Sequence, residues 1–595
     1  MNRTNFLSVL IGRLLGLMVL CRAGIVNSWG HSCLNSRPAF NLDRHWTLMR
    51  SNSSSSRRGF LQTTLIASAA VALRPALSSA REISRAAESS AAEVKPFDLE
   101  EITISELQEG MKSGKFTARS LVEKYTARIE DIDKRTVNAI IEMNPDAVSI
   151  AEDLDRERKT KGPRGPLHGI PVLIKDNIAT VDRMMTTAGS LALVGSKPPK
   201  DSMVAQKLRA AGAVILGKTN LSEWANIRSS HSTSGWSGRG GLTKNPYALD
   251  RNPCGSSSGT GAGISANLAA IGIGTETDGS IVCPSSSNGL AGIKPTVGLV
   301  SRAGIIPISH SQDTAGPMCR TVRDAATLLG VLTGADPEDQ ATTASAGKAQ
   351  TNYEQYCDPN GLKGARIGVA RKYFGFSDAV DALMEHSIDV MKKQGAIIVD
   401  PADIPTLGKF DDSEMTVFMF ELKADLNAYL ARLGPSAPVK TLKDIIEFNE
   451  RNREKEMPYF GQDLFVKSEA KGPLTEKEYL DAVAKNRQLA RTEGIDAVMD
   501  KNKLDVLVAP TGGPAWITDL ITGDHFGGGS SNAAAVAGYP NINVTAGNIF
   551  GLPVGISFFG RAWSEPTLIK IAYAFEQATK ARQAPKFLAS IDLAS

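Results

Sequence analysis

From about Phe97 to the C-terminus the sequence predicts one continuous α/β domain. Three observations carry this. Short apolar runs of strand length recur along the chain, segments with helical spacing lie between them, and no internal repeat or low-complexity linker appears after residue 95. "TARSLVEKYTARIEDID" opens with a capping Thr117 and places Leu121, Val122, Tyr125, Ile129 and Ile132 on one helical face. "IPVLIKDN" is a short apolar run with polar residues at its end, which makes it a buried strand delivering Lys175 at its tip. "DSMVAQKLRAAG" followed by "AVILGKTN" reads as helix then strand, the order of a parallel sheet. "ARIGVA", "AIIVD" and "DVLVAP" read as three further buried strands. Between Ser413 and Lys503 the pattern turns mostly helical and charged, and is expected to be an insertion covering the site.

Composition narrows the function classes. With 42% apolar and 22% charged residues the chain falls among ordinary soluble globular proteins. A net charge of +4 over 595 residues, without a basic tract interleaved with aromatics, excludes nucleic acid as an expected partner. The six cysteines, Cys21, Cys33, Cys254, Cys283, Cys319 and Cys357, lack CxxC spacing, so neither a zinc site nor a disulfide framework is expected.

The N-terminus holds two export-like segments. "FLSVLIGRLLGLMVL" is leucine-rich, short for a membrane span and interrupted by Arg13. In "SRRGFLQTTLIASAAVALRPALSSA" the pair Arg57-Arg58 precedes a mildly apolar run, and small residues end it at Ala80. Residues 1–48 are therefore expected to be an over-extended start or leader, with Met49 as the true start. Residues 49–80 are expected to be a twin-arginine signal for export to the periplasm, 81–96 a linker, and 97–595 the α/β domain. No stable membrane insertion is expected after signal removal.

Two short motifs compete as functional signatures. "GAVILGKT" matches the phosphate-loop pattern, but Ala-Val-Ile-Leu inside it belongs in a buried strand rather than an exposed anion cradle. "GSSSG" centres Ser257 in the nucleophile-elbow pattern, yet "RNPC" before it is not the strand an elbow requires. Of the histidines outside the leader, His386 falls on an amphipathic helix, and His168, His231, His310 and His525 have no telling local context.

A third constellation needs no histidine. A serine hydroxyl becomes nucleophilic when a base takes its proton, and a lysine serves once burial disfavours its ammonium form. Lys175 ends an apolar strand, Ser256 opens a Gly/Ser loop, and Ser280 follows "TETDG" one helix-plus-strand excursion later. An excursion of that length can return the chain beside the loop it left.

The segments "GPLHGIPVLIKDN", "GKTNLSEWA", "NPCGSSSGTGAGISANLAAIGIGTETDGSIVCPSSSNGLAGIKPTVG" and "GLPVGISFFG" resemble, in order, the amidase signature family, over Ile104 to roughly Leu588. The resemblance implies a single domain with a central mixed, twisted β-sheet covered by helices on both faces. It implies Ser280 as nucleophile, Ser256 as bridging serine after a cis Gly255–Ser256 peptide, and Lys175 as general base. The oxyanion would rest on backbone N–H groups of Thr277, Asp278, Gly279 and Ser280, and no metal or organic cofactor is implied. The reaction implied is cleavage of a small-molecule or peptide amide to acid and ammonia through a seryl acyl-enzyme. Asp278-Gly279 stands where many members carry Gly-Gly, and "TETDGSI" is similar to the bacterial peptide amidase branch. The alternatives are the A-type component of a glutaminyl-tRNA-forming amidotransferase and a catalytically idle binding protein. Cys254 and Cys283 flank the serines and read as small buried apolar side chains. The pKa of Lys175 is expected to fall from about 10.4 but to stay above the range of an ordinary histidine.

Overall fold

Apolar runs that alternate with amphipathic helices fold here around one large sheet. The computed structural model describes residues 94–593; both export-like segments, Met49, Arg57-Arg58 and most of the 81–96 linker lie outside the described residues. Eleven strands make the sheet: β1 Ile140–Met143, β2 Pro171–Lys175, β3 Val214–Thr219, β4 Ile271–Glu276, β5 Ala291–Lys294, β6 Thr314–Cys319, β7 Arg366–Val369, β8 Ile397–Val399, β9 Val506–Pro510, β10 Asn541–Ile549 and β11 Leu552–Phe559. Their order is β1-β3-β2-β4-β6-β5-β10-β11-β9-β7-β8. β2 pairs parallel with both β3 and β4, whereas β4, β6, β5, β10, β11 and β9 pair antiparallel in succession, so the sheet is mixed.

The parallel block explains its own sequence. β2, β3 and β4 are buried along their whole length, which requires near-continuous apolar runs rather than alternation. Thr117 caps the helix α1 (Ala118–Ile132) by accepting from the Ser120 N–H, and α1 buries Leu121, Val122, Tyr125, Ile129 and Ile132. The crossover helix α2 (Met203–Ala210) leads into β3. β8 departs from the expected buried strand: it is the sheet's last strand, and Ile397 is 47% exposed. β10 and β11 are joined by Phe550 and Gly551, both at positive φ (49° and 77°), a two-residue hairpin turn matching the strands' twist.

Ser257 precedes the short helix α3 (Ser258–Ser265), and Asn288 follows the short helix α4 (Val282–Ser287). The charged segment after Asp411 is helical, beginning with α5 (Asp411–Arg432). Its Phe418, Leu422 and Leu426 share a second core with Leu221, Trp224, Ile306 and Ile308. This segment thus packs over the loop that follows β3 and the loop that precedes β6. Among the described residues no helix is long and apolar enough to cross a membrane.

Candidate active site

Lys175 is the last residue of β2 and is fully buried. Its Nζ lies 2.7 Å from Ser256 Oγ and donates to Thr275 Oγ1 (3.0 Å) and the Thr275 carbonyl (3.3 Å). Burial pushes its pKa down to about 7, with the Asp313 and Glu276 carboxylates pulling weakly upward. That value falls within the histidine range, a deeper shift than the sequence led us to expect. Neutral amine is therefore abundant near pH 7, and 2.7 Å suits a serine hydroxyl donating to its lone pair.

Ser256 sits after a cis Gly255–Ser256 peptide, and its carbonyl accepts from the Ser222 N–H at 3.1 Å. Only glycine fits before it, because a Cβ at 255 would lie 2.2 Å from Ser222 Oγ. Ser257, centre of the elbow pattern, is committed elsewhere: its hydroxyl donates to the Thr275 carbonyl (3.0 Å) and accepts from the Thr275 N–H (3.2 Å). It splices α3 to β4.

The Ser280 turn is shaped by Gly279 at φ 76° and by Glu276, whose buried carboxylate accepts from the N–H groups of Ile281 (2.7 Å) and Val282 (3.0 Å). The Ser257 N–H donates to the Ser280 carbonyl at 3.3 Å, which lays the two serine loops against each other. Among the described residues, Ser280 Oγ hydrogen-bonds to no protein atom. The Lys175–Ser256 link is thus formed, and the hydroxyl of Ser280 is left unengaged. The backbone N–H groups of Thr277, Asp278 and Ser280 likewise have no protein acceptor, whereas that of Gly279 lies against Glu276. Asp278 has its carboxyl raised to about 6 by removal from water, with the neighbouring Glu276 and Asp411 adding to the rise. A cavity of about 190 Å³ is lined by Asn177, Thr275, Thr277 and Asp313, which are neighbours of the lysine–serine contact; Lys175, Ser256 and Ser280 do not themselves line it.

One expectation is overturned. Cys254 and Cys283 are not separate apolar side chains but a disulfide, with Cα atoms 6.0 Å apart. The chain leaves Cys254 through α3 and returns through β4 to Cys283, which brings the two together; cysteine spacing along the chain does not register such a return. The residues the sequence left unnamed are Thr275, Asn177, Glu276 and Asp313. Asn177 Nδ2 and Lys175 Nζ both donate to Thr275 Oγ1, and Asp313 accepts from the Thr277 hydroxyl at 2.6 Å. Thr275, Glu276 and Thr277 lie within the quoted "TETDG", and Asn177 within "IKDN"; Asp313 carried no signal.

The competing motifs resolve into framework. "GAVILGKT" is β3, and its Lys218 is buried and donates to Thr186 Oγ1 at 2.9 Å. His168 is buried with Nε2 2.9 Å from the Leu154 carbonyl, and His386 is exposed on the helix Asp378–Lys393. His310 pairs with Asp425 and Glu421, and His525 with Asp519. None of the histidines among the described residues hydrogen-bonds Ser256, Ser257 or Ser280.

The mixed sheet flanked by helices, with a buried lysine–serine contact beside a glycine-bent serine turn, matches the architecture of amidase signature structures. The Amidase family model matches residues 120–569. A probable amidase of Arabidopsis thaliana is 44% identical over 502 residues, 83% of this chain and 93% of that protein. The native peptide amidase structure from Stenotrophomonas maltophilia superposes with a TM-score of 0.79 at 48% identity, over 83% of this chain and 100% of that one. Identity is 32% to the A-type component of the glutamyl-tRNA(Gln) amidotransferase of Thermoanaerobacter pseudethanolicus, over 82% of this chain and 99% of that protein. The chain belongs to the amidase family and is an amide-hydrolysing enzyme.

Proposed function

We propose that this protein hydrolyses primary carboxamides, C-terminal peptide amides among them, to the acid and ammonia through an acyl-enzyme on Ser280. The carrying observation is the 2.7 Å contact between Ser256 Oγ and a fully buried Lys175 whose pKa lies near 7. Neutral Lys175 takes the Ser256 proton as Ser256 takes that of Ser280, and the Ser280 oxygen adds to the amide carbonyl. The oxyanion that forms meets the unpaired N–H groups of Thr277, Asp278 and Ser280; each such donor is worth about 3 kcal/mol at the transition state. Collapse of the adduct breaks the C–N bond, and the nitrogen leaves as ammonia with the relayed proton. Water then attacks the ester, gives a proton back through Ser256, and frees the acid and the Ser280 hydroxyl.

The peptide amide as substrate is supported by the likeness to the Stenotrophomonas maltophilia peptide amidase. The test is ammonia release by the purified chain from simple amides, peptide amides and free glutamine. Turnover of peptide amides by the chain alone is expected. Activity on glutamine only, and only with co-purifying partner proteins, would replace this reading with the amidotransferase one.

The export reading belongs to the same proposal. It is supported by Arg57-Arg58 ahead of an apolar run and by a disulfide, a bond that persists in oxidising compartments. Translation from Met49 in a bacterial host is expected to deliver the mature enzyme to the periplasmic fraction, and Arg57→Lys with Arg58→Lys to strand the precursor inside. Unchanged fractionation of the double variant would shift the export signal to the leucine-rich segment near residue 10.

A further inference from the structure

The two serines are carried by separate loops, and a single covalent bond joins those loops. Cys254 lies two residues before Ser256 and Cys283 three residues after Ser280. The hydrogen bonds spanning the same gap converge on Ser257 and Asn288: the Ser257 N–H to the Ser280 carbonyl at 3.3 Å, the Ser257 hydroxyl to the Thr275 backbone at 3.0 and 3.2 Å, and Asn288 Nδ2 to the Pro253 carbonyl at 2.8 Å. None of them is made by Cys254, Gly255 or Ser256. Cys254 occupies left-handed backbone (φ 56°), uncommon for a residue other than glycine, with its N–H held by Asn252 Oδ1 at 2.8 Å. Both cysteines are buried, at 4% and 8% exposure, so their surroundings have little room to absorb a change in sulfur spacing.

We infer that the Cys254–Cys283 disulfide is a positioning device for the serine relay: it registers the Ser256 loop against the Ser280 turn, and its reduction uncouples the two serines. The inference rests on the roles proposed above for Ser256 and Ser280. Two thiols in place of the bond must stand about 1.5 Å further apart to reach van der Waals separation. In a close-packed interior that limits rotation of the two cysteine side chains, part of that displacement passes into the backbone at Gly255, directly before Ser256. Glu276 keeps the Ser280 turn in shape through the Ile281 and Val282 N–H groups, so what is lost is registration between the loops. A misplacement of about 1 Å in reacting geometry costs on the order of 10²-fold in rate. Cys254 and Cys283 touch no reacting atom in this account; they act through the loops they join.

Redox state thereby becomes an activity switch. A dithiol reductant supplies two electrons and two protons, closes to its own disulfide, and leaves Cys254 and Cys283 as thiols. Such a switch keeps the enzyme slow in a reducing interior and turns it on where disulfides persist.

The experiment compares the mature protein as isolated, after dithiothreitol, and after reoxidation, with alkylation and intact mass reporting the gain of two thiols. A Cys254→Ala/Cys283→Ala variant is assayed in parallel, all well below the melting temperatures. The expected result is a fall in kcat on a peptide amide of about 10- to 100-fold, with KM nearly unchanged and kcat restored by reoxidation. The double variant is expected to match the reduced enzyme and to ignore dithiothreitol. A purely structural cross-link would lower the melting temperature and leave kcat in place; that outcome, in the reduced protein with both thiols counted, overturns the inference. If the bond resists reduction in the folded protein the double variant decides, and if that variant fails to fold the reduced protein decides. Absence of turnover and of fluorophosphonate labelling in the oxidised protein would instead overturn the roles of Ser256 and Ser280, a separate result read before reductant is added.

Discussion

Replacing Ser280 by alanine is expected to lower kcat for amide hydrolysis by about 10⁴- to 10⁶-fold, the scale on which serine hydrolases lose activity with their nucleophile. The serines and cysteines of the two loops are otherwise committed. Ser257 is spent on the backbone of Thr275, Ser256 is engaged by Lys175, and Cys254 and Cys283 are consumed in a disulfide. The same geometry predicts that the variant folds normally. Ser280 Oγ makes no protein hydrogen bond, and the turn is held by Glu276 and by Gly279 rather than by the hydroxyl. Ammonia release measures the loss, a thermal melt checks the fold, and a fluorophosphonate probe followed by intact mass is expected to label the native enzyme once and the variant not at all. Native rates from Ser280→Ala would remove the acyl-enzyme from the mechanism.

The parts of the molecule that the sequence makes legible are those whose cause is local. β2, β3 and β9 are buried on both faces, and burial on both faces writes a near-continuous apolar run. The same logic separates the phosphate-loop lookalike from a real one, since Ala-Val-Ile-Leu cannot be both cradle and core. β5 and β6 leave little such trace, because "AGIK" and "TAGPMC" hold glycine and proline where close strand packing demands small side chains. At Gly316, for example, a Cβ would lie 2.0 Å from the Ile293 carbonyl. β8 reads as buried from its three apolar residues, but an edge position exposes them.

Within the site, the excursion through α3 and β4 that pairs Ser256 with Ser280 also pairs Cys254 with Cys283. Cysteine spacing weighed along the chain, rather than across that excursion, conceals the bond. Thr275, Glu276 and Asp313 acquire their roles only through contacts closed by tertiary structure. The depth of the shift at Lys175 has the same origin: it depends on how completely water is excluded from the end of β2, which the run "IPVLI" signals in direction but not in extent.

Lys175→Met is expected to cost about 10²- to 10⁴-fold in kcat/KM, the range of a general base, and to remove the ascending limb of the pH profile. The sign follows from the protonation state required. An amine accepts a proton only when neutral, so activity rises with pH through its pKa and levels above it. With that pKa lowered by burial to about 7, the limb centres near neutrality rather than in the alkaline range. Asp313 supplies an internal control. Its negative charge favours the Lys175 ammonium, so Asp313→Asn lowers the lysine pKa and moves the limb toward acid. Because Asp313 accepts from the Thr277 hydroxyl through one oxygen and from the Ile308 and Ser309 N–H groups through the other, and an amide keeps one acceptor oxygen, a thermal melt accompanies this variant. Other groups also titrate in reach of this window, among them Lys294, which burial pushes down to about 8 against the upward pull of Glu276. The carboxyls of Asp278 and Asp313 are each pushed up by burial to about 6; at His310 burial acts downward, but its contacts with Asp425 and Glu421 outweigh it and raise the pKa. Asp278→Asn and His310→Ala therefore accompany the lysine variant in the same assay, and neither is expected to abolish the limb. If one of them abolishes it while Lys175→Met retains both limb and rate, the base is that residue, and the buried amine is reduced to a hydrogen-bond donor that orients Ser256.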